Sequence, residues 1–115
     1  GGIGAVIGHE FTHGFDDQGS KYDAKGNLAN WWTDEDRKRF EERAQLVVNQ
    51  FNGFEPLDSL HVNGELTLGE NIADLGGATL AFHALEKELQ KDSNDSLINK
   101  TTSEEKTNDF QKEIQ

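Results

Sequence analysis

The sequence contains no cysteine, which excludes disulfide bonds and metal sites built from thiolates. Any metal ion must therefore be held by histidine, aspartate or glutamate side chains. No apolar run reaches the length of a membrane span, and the N-terminal residues do not form a signal-peptide pattern. We therefore expect no membrane contact from this segment.

Basic residues are scarce as well. The 115 residues include 11 Lys and Arg against 22 Asp and Glu, which gives a formal net charge of −11. Because nucleic-acid phosphates and anionic lipids both bind to basic surfaces, this balance argues against nucleic acid and membrane partners. The acidity by itself is typical of a solvated surface.

The length fits one small domain or a part of a larger one. The chain begins without methionine and ends on Gln115 within a helical pattern, so we expect a segment of a longer protein. We expect residues 1–91 to form the folded core. Residues 92–115 contain a polar break and then a weak helical pattern, which predicts a marginal helix that continues into further sequence.

Helical periodicity predicts helices over about residues 3–13, 33–53 and 68–91, the second of them capped by Thr33 and Asp36. Their predicted apolar faces are Ile3, Val6, Ile7 and Phe11; Phe40, Ala44, Val47, Val48 and Phe51; and Ile72, Leu75, Thr79, Phe82, Leu85 and Leu89. Gly76-Gly77 inside the third helix indicates a close approach of backbones.

Two segments between the helices carry turn signals. The letters DAKGN predict a turn in the loop over residues 16–30. The letters LHVNGELTL predict a small β-hairpin with Asn63-Gly64 as a type I′ turn, with an irregular loop as the alternative. The predicted fold class is therefore mainly α-helical, with at most one small hairpin.

The most unusual stretch is VIGHEFTHGF, in which His9 and His13 stand four residues apart with Glu10 between them. Residues four apart share one helix face, so both imidazoles can reach one ion. This spacing is the HExxH arrangement of zinc hydrolases, in which the glutamate acts as general base for a zinc-activated water. The alternative is a pair of hydrogen-bonded core histidines beside an exposed glutamate.

A catalytic zinc site needs a third protein ligand. The stretch GENIADLGG places Glu70 and Asp74 four residues apart, so we predict Glu70 as that ligand and Asp74 as the acceptor of a ligand histidine's outer N–H. The alternative is a capping box begun by Thr67, followed by a solvated acidic face. Two acids four apart repel unless a cation offsets them, so the two motifs support each other.

The stretches VIGHEFTHGFDDQG, WWT and LGENIADLGG together resemble the neprilysin-type zinc metallopeptidases, from Gly1 to about Lys91. The resemblance implies one zinc ion per chain, bound by His9, His13 and Glu70, with Glu10 as catalytic base and Asp74 as the orienting acid. It also implies a thermolysin-like (gluzincin) catalytic core in which the HExxH helix packs against the Glu-bearing helix. The implied substrates are oligopeptides, cut on the amino side of hydrophobic residues.

The resemblance also implies parts that this sequence does not contain. The family's substrate-binding Asn-Ala motif lies upstream of HExxH, and its oxyanion-stabilising histidine and substrate-contacting arginine lie after the position of Gln115. His61 and His83 do not match that histidine, and we expect both to be structural or surface residues. Relatives are either soluble bacterial proteins or are anchored in a membrane with the catalytic domain outside the cytosol, so the compartment stays open.

Three hypotheses follow from the sequence. The first is the catalytic core of a zinc endopeptidase, and the second is a zinc-binding unit without a competent substrate cleft; a peptide-cleavage assay separates the two. The third is a metal-free helical interaction module, which predicts no zinc and no change of stability on chelation. Surfaces that would contact absent segments could also promote self-association. Trp31-Trp32 is one candidate, and the alternative, which we favour, is that both tryptophans pack into the core.

Overall fold

The computed structural model describes residues 2–112, and it describes side chains for residues 2–91. Three helices make up most of it: α1 (Gly2–Thr12), α2 (Asp34–Asn52) and α3 (Leu68–Lys112). Two short 3₁₀ turns, His13–Phe15 and Gly19–Lys21, follow α1. The described residues contain no β-strand, only two isolated bridges, so the mainly α-helical class is confirmed.

The chain forms two compact units that divide between Ala81 and Phe82. The first unit contains α1, α2 and the beginning of α3, and the second contains the rest of α3. All the residues predicted to form the metal site belong to the first unit. Among the described residues, no helix combines the length and the apolar character that crossing a bilayer requires.

Helices α1 and α3 meet backbone against backbone, at glycines. Gly8 is the buried residue of α1, and a Cβ built there would lie 2.8 Å from the Cα of Gly77. A Cβ on Gly77 would lie 2.5 Å from the carbonyl oxygen of Ala5, and one on Gly76 would collide with the Thr12 side chain. The close approach predicted from Gly76-Gly77 is therefore confirmed.

This glycine contact overturns most of the predicted apolar core of α1 and α3. Residues Ile3, Val6, Ile7 and Phe11 of α1 are 50–73% exposed, and Leu75, Phe82, Leu85 and Leu89 of α3 are 52–58% exposed. Thr79 is exposed too, and Ile72 is half-buried. Between Leu68 and Lys91, the part of α3 whose side chains are described, the buried positions are Asn71, Ala73 and Gly77. Helices this close have room only for small residues between them, so the large apolar side chains point elsewhere.

Helix α2 begins and ends as the sequence predicts. The backbone N–H of Asp36 donates to Thr33 Oγ1 at 3.1 Å, and the helix ends at Asn52, before Gly53. The Thr33 hydroxyl in turn donates to the Asp36 carboxylate at 2.7 Å. The predicted apolar face is confirmed, with Ala44 and Val48 buried and Phe40, Val47 and Phe51 half-buried.

The predicted DAKGN turn is also present. The N–H of Gly26 donates to the Asp23 carbonyl at 2.9 Å, and Gly26 has a φ of +79°. A glycine is favoured there because a side chain would strain that backbone conformation.

The hairpin predicted over LHVNGELTL is wrong. Neither Asn63 nor Gly64 has the positive φ that a type I′ turn requires. The Asn63 carbonyl instead accepts the Thr67 N–H at 3.1 Å, in a helical turn that leads into α3. Gly64 is buried against the carbonyl of Val48 on α2, where a Cβ would clash. The contact with α2 therefore explains this glycine without a hairpin.

The predicted end of the third helix near Lys91 is wrong as well, because α3 continues to Lys112. The polar residues over 92–96 do not interrupt it. They include neither proline nor glycine, and each costs a helix only a few tenths of a kcal/mol, by rough host–guest scales. The division into a core over 1–91 and a C-terminal segment over 92–115 stays a prediction, since side chains after Lys91 lie outside the described residues.

The glycine contact makes a prediction about stability. Gly77→Ala should lower the free energy of unfolding, because the new methyl overlaps the backbone of α1 at a cost of about 1–3 kcal/mol. The better helix propensity of alanine offsets about 1 kcal/mol of this cost, so we expect a net loss of up to about 2 kcal/mol. Urea unfolding followed by circular dichroism measures the difference.

The matched control is Gly4→Ala on α1, where the new Cβ would lie 3.6 Å from the Cβ of Ala81, an ordinary contact. This variant should be as stable as the wild-type protein or slightly more so. If Gly77→Ala were equally stable, the close approach of α1 and α3 would not matter to the fold.

Candidate metal centre

The end of α1 and the 3₁₀ turn after it bring the two histidines of HExxH together. His9 lies in the last turn of α1, and His13 begins the 3₁₀ turn. Their Nε2 atoms are 3.0 Å apart, and the rings meet edge to face with centroids 4.6 Å apart. The side chain of His9 is 20% exposed and that of His13 31% exposed, so solvent reaches the pair from one side.

Glu70, in the first turn of α3, completes the cluster. Its Oε2 lies 3.3 Å from Nε2 of His9 and 3.7 Å from Nε2 of His13. A tetrahedral ion with ligands at about 2.0–2.1 Å separates its ligand atoms by roughly 3.3 Å. The three atoms therefore have the spacing of ligands around one zinc-sized ion. Among the described residues, these three side chains alone form such a group.

The hydrogen bonds of the other ring nitrogens define the tautomers. Nδ1 of His9 lies 2.8 Å from Oδ1 of Asp74, and Nδ1 of His13 lies 2.8 Å from Oδ2 of Asp16. Carboxylates accept hydrogen bonds, so we assign the ring protons to the two Nδ1 atoms. Both Nε2 lone pairs then face each other and the Glu70 oxygen. Three electron-rich atoms at such distances need a cation between them.

Asp16 is the functional residue that sequence reasoning missed. It is buried at 5% exposure, and its Oδ1 accepts the N–H groups of Gln18 at 2.9 Å and Gly19 at 2.7 Å. Its Oδ2 is thereby left for His13. The i,i+3 spacing from His13 could have indicated it, but the sequence analysis placed Asp16 only at the start of a loop.

The pKa values of this pair are shifted in opposite directions. The hydrogen bond to Asp16 raises the pKa of His13 above its usual range, burial opposes the shift, and the negative charges of Glu70, Asp16 and Glu10 add to it. Burial would raise the pKa of Asp16, but its hydrogen bonds from His13, Gly19 and Gln18 outweigh burial and lower it. In the metal-free protein, these shifts favour an ion pair between His13 and Asp16.

Glu10 lies outside the group of three ligand atoms. Its side chain is exposed, and it lines a groove together with Ala5, Val6, His9, Asp74 and Ala78. Its carboxylate has no hydrogen bond or ion pair with any described residue. It is therefore free to exchange a proton with a molecule in that groove.

The other two histidines lie outside the cluster. His61 is exposed, and His83, in the second unit, lies with its Nδ1 3.1 Å from Oε2 of Glu86 one helical turn away. Their predicted surface positions are confirmed.

His9, His13 and Glu70 form a group that could hold a metal ion, and Glu10 lies beside it within the HExxH sequence. Residues 1–112 match the model of peptidase family M13, and the chain belongs to this family. The resemblance to neprilysin-type peptidases is confirmed. The gluzincin arrangement, with α1 packed against α3, is confirmed as well.

Three relatives illustrate the similarity. Neprilysin-11 of Caenorhabditis elegans is 54% identical over 88 residues, which are 76% of this chain and 10% of that protein. Endothelin-converting enzyme-like 1 of Homo sapiens is 52% identical over 87 residues, 76% of this chain and 11% of that protein. The crystal structure of Mycobacterium tuberculosis zinc metalloprotease Zmp1 with an inhibitor has a TM-score of 0.73 at 50% identity, over 76% of this chain and 14% of that one. The chain thus spans about a tenth of the length of the curated relatives it matches.

The two acids that hold the histidine rings should matter for metal affinity. Asp16→Ala and Asp74→Ala should each weaken zinc binding by roughly 10–100-fold, because the ligand ring loses the acceptor that orients it. Competition with a chromogenic chelator measures the affinity. Asp23→Ala is the control, since Asp23 also accepts backbone N–H groups but contacts no histidine. An affinity unchanged in Asp16→Ala would contradict the role of that residue.

The shifted pKa values predict how the stability of the metal-free protein depends on pH. The raised pKa of His13 stabilises the fold fully below about pH 6.5, and this contribution is lost as pH rises through the folded value. The lowered pKa of Asp16 stabilises it above about pH 4, and this contribution is lost as pH falls through the folded value. The melting temperature of Asp16→Asn, after chelation, should therefore differ most from wild type between these limits. A difference independent of pH would contradict the ion pair.

Proposed function

We propose that this chain is the zinc-binding core of a neprilysin-type endopeptidase that hydrolyses oligopeptides. The observation that carries the proposal is the convergence of two imidazole nitrogens and a carboxylate oxygen within 3.0–3.7 Å, while the other nitrogen of each ring lies 2.8 Å from a carboxylate oxygen. Such an acceptor set suits Zn²⁺, which binds neutral imidazole and carboxylate. Membership of peptidase family M13 supports the same ion.

His9, His13 and Glu70 would hold a single zinc ion. Asp74 and Asp16 would keep the two imidazoles in the tautomer that presents Nε2. Zinc, when bound, supplies a Lewis acid for the scissile carbonyl and an acidified water as nucleophile.

Glu10 carries the proton in this proposal. Its free carboxylate accepts the proton of the attacking water and then delivers it to the leaving amine. The lack of any partner for this side chain among the described residues supports the role, because a paired carboxylate would be a weaker base. No covalent acyl-enzyme is required.

The groove beside Glu10 supports a preference for apolar side chains in the substrate. Ala5, Val6 and Ala78 line it next to His9 and Glu10, so a hydrophobic residue bound there would lie beside the hydrolytic groups. This arrangement agrees with cleavage on the amino side of hydrophobic residues, which the family resemblance implies.

A second candidate is zinc binding without turnover by the chain alone. The side chains of Ile3, Val6, Ile7 and Phe11 are at least half exposed, so the apolar surface of α1 beside the groove is uncovered in the described structure. A cleft open on that side would bind peptides weakly. The same surface is where we propose that copies of the chain self-associate, which sedimentation at increasing concentration would detect.

Zinc stoichiometry and peptide cleavage, measured together, separate the candidates. About one zinc per chain with chelator-sensitive cleavage of a fluorogenic peptide would support the endopeptidase core. Zinc without cleavage would support the second candidate. No zinc after supplementation, and no change of stability on chelation, would support a metal-free helical module and reject both.

Two substitutions assign the roles within the site. Glu10→Ala should keep zinc and lower peptide hydrolysis by about 10²–10⁴-fold, the usual contribution of a general base. His13→Ala should lose both zinc and hydrolysis, because one of three ligands is removed. Activity is measured on the chain, and on the full-length enzyme where the chain alone does not turn over.

The control for Glu10→Ala is Glu41→Ala, which removes an exposed carboxylate from α2 and should change neither quantity. If Glu10→Ala kept most of the wild-type rate of peptide hydrolysis, Glu10 would not be the general base.

A further inference from the structure

The loop that carries Asp16 is held from α2 by a single arginine. Arg37 Nη1 donates to Ser20 Oγ at 3.1 Å, and its Nη2 donates to the Ser20 carbonyl at 3.2 Å. The same carbonyl accepts the indole N–H of Trp32 at 2.9 Å. Ser20 is fully buried, so both of its oxygens need these donors.

Ser20 is tied in turn to Asp16. The N–H of Ser20 donates to the backbone carbonyl of Asp16 at 3.1 Å. The backbone N–H groups of Gln18 and Gly19, which lie between these two residues, donate to Oδ1 of Asp16. Residues 16–20 therefore form one closed turn. The turn has a carboxylate oxygen directed at His13 at one end and the Arg37 contact at the other.

The guanidinium of Arg37 is itself fixed in orientation. Its Cζ lies 5.0 Å from the ring centroid of Trp32 and 5.8 Å from that of Phe40, within reach of cation–π attraction. A planar fork held against two aromatic rings can direct two N–H groups at one residue. A lysine in its place has N–H donors but no rigid planar fork, so the aromatic rings would not fix its orientation in the same way.

We propose that Arg37 is a positioning residue for the metal centre. It holds Ser20, and through the closed turn it keeps Asp16 Oδ2 within hydrogen-bond distance of His13 Nδ1. This hydrogen bond restricts the rotation of the His13 ring, so that Nε2 faces the other ligand atoms. This role rests on the proposed function of His13 as a zinc ligand.

The size of the effect follows from the indirect action of Arg37, which contacts Ser20 and not the histidine or its acid. Removing an acid that touches a ligand histidine costs roughly 10–100-fold in metal affinity. Arg37 acts through that acid, so its loss should cost less, about three- to tenfold by the same scale.

The experiment compares Arg37→Met and Arg37→Lys with Arg39→Met. Arg39 lies on the same helix but pairs with the exposed Glu35, so its replacement is the matched control. Zinc affinity is measured by chelator competition, and the geometry of the site by the visible absorption bands of the Co²⁺-loaded protein. Unfolding of the metal-free variants is followed separately by circular dichroism.

We expect weaker zinc binding and changed Co²⁺ bands in Arg37→Met, with Arg39→Met like wild type. Arg37→Lys should resemble Arg37→Met, because the charge alone does not reproduce the fork. If Arg37→Met does not fold, Arg37→Lys decides the question by the same two measurements.

Two results would overturn the proposal alone. One is wild-type zinc affinity and Co²⁺ bands in both Arg37 variants, even where stability falls, since this would show a purely structural role. The other is full rescue by lysine, which would show that only charge matters. Absence of zinc binding in the wild-type chain would instead reject the proposed function, and the positioning role with it.

Discussion

The backbone contact between α1 and α3 is the constraint on which the distances between His9, Asp74 and Glu70 depend. Gly8 precedes His9 directly, and Gly77 lies one turn after Asp74, so the contact sits beside the groups that must meet. A side chain on either glycine would overlap the backbone of the other helix and push the two helices apart. The atoms of the candidate site on the two helices would then separate. The distances of 2.8 Å from His9 to Asp74 and 3.3 Å to Glu70 exist because nothing larger than hydrogen lies between the helices.

The second constraint is electrostatic. A chain with twice as many acids as bases places two of those acids, Glu70 and Asp74, one turn apart beside the histidines. The buried Asp16 adds a further negative group. Such a cluster is unfavourable without positive charge, which a proton on His13 or a metal ion can supply. The carboxylates beside the histidines therefore favour binding of a cation, and their hydrogen bonds to Nδ1 favour the tautomer in which Nδ1 carries the proton.

The sequence could predict the members of the site that lie on helices, because helical periodicity assigns residues to faces. His9, His13, Glu70 and Asp74 were found in this way. The position of Asp16 depends on a turn closed by hydrogen bonds from the N–H groups of Gln18 and Gly19. Turns have no regular periodicity, so the sequence does not show which way a side chain in a turn points. Asn63-Gly64 is the opposite case. The Asn-Gly pair is typical of a hairpin turn, but here Gly64 lies against the backbone of α2. This contact is between residues distant in the sequence, so the local sequence does not show it.

The two histidines differ in how their orientation is supported. The partner of His9 is Asp74, whose position follows from the backbone of α3 alone. The partner of His13 is Asp16, whose position depends on a 3₁₀ turn, on a buried Ser20 and on α2 through Arg37 and Trp32. A change in any of these elements can alter the orientation of the His13 ring, whereas the contact of His9 with Asp74 depends on the packing of α1 against α3. In the proposed zinc site, His13 is therefore the histidine whose orientation depends on parts of the chain outside these two helices.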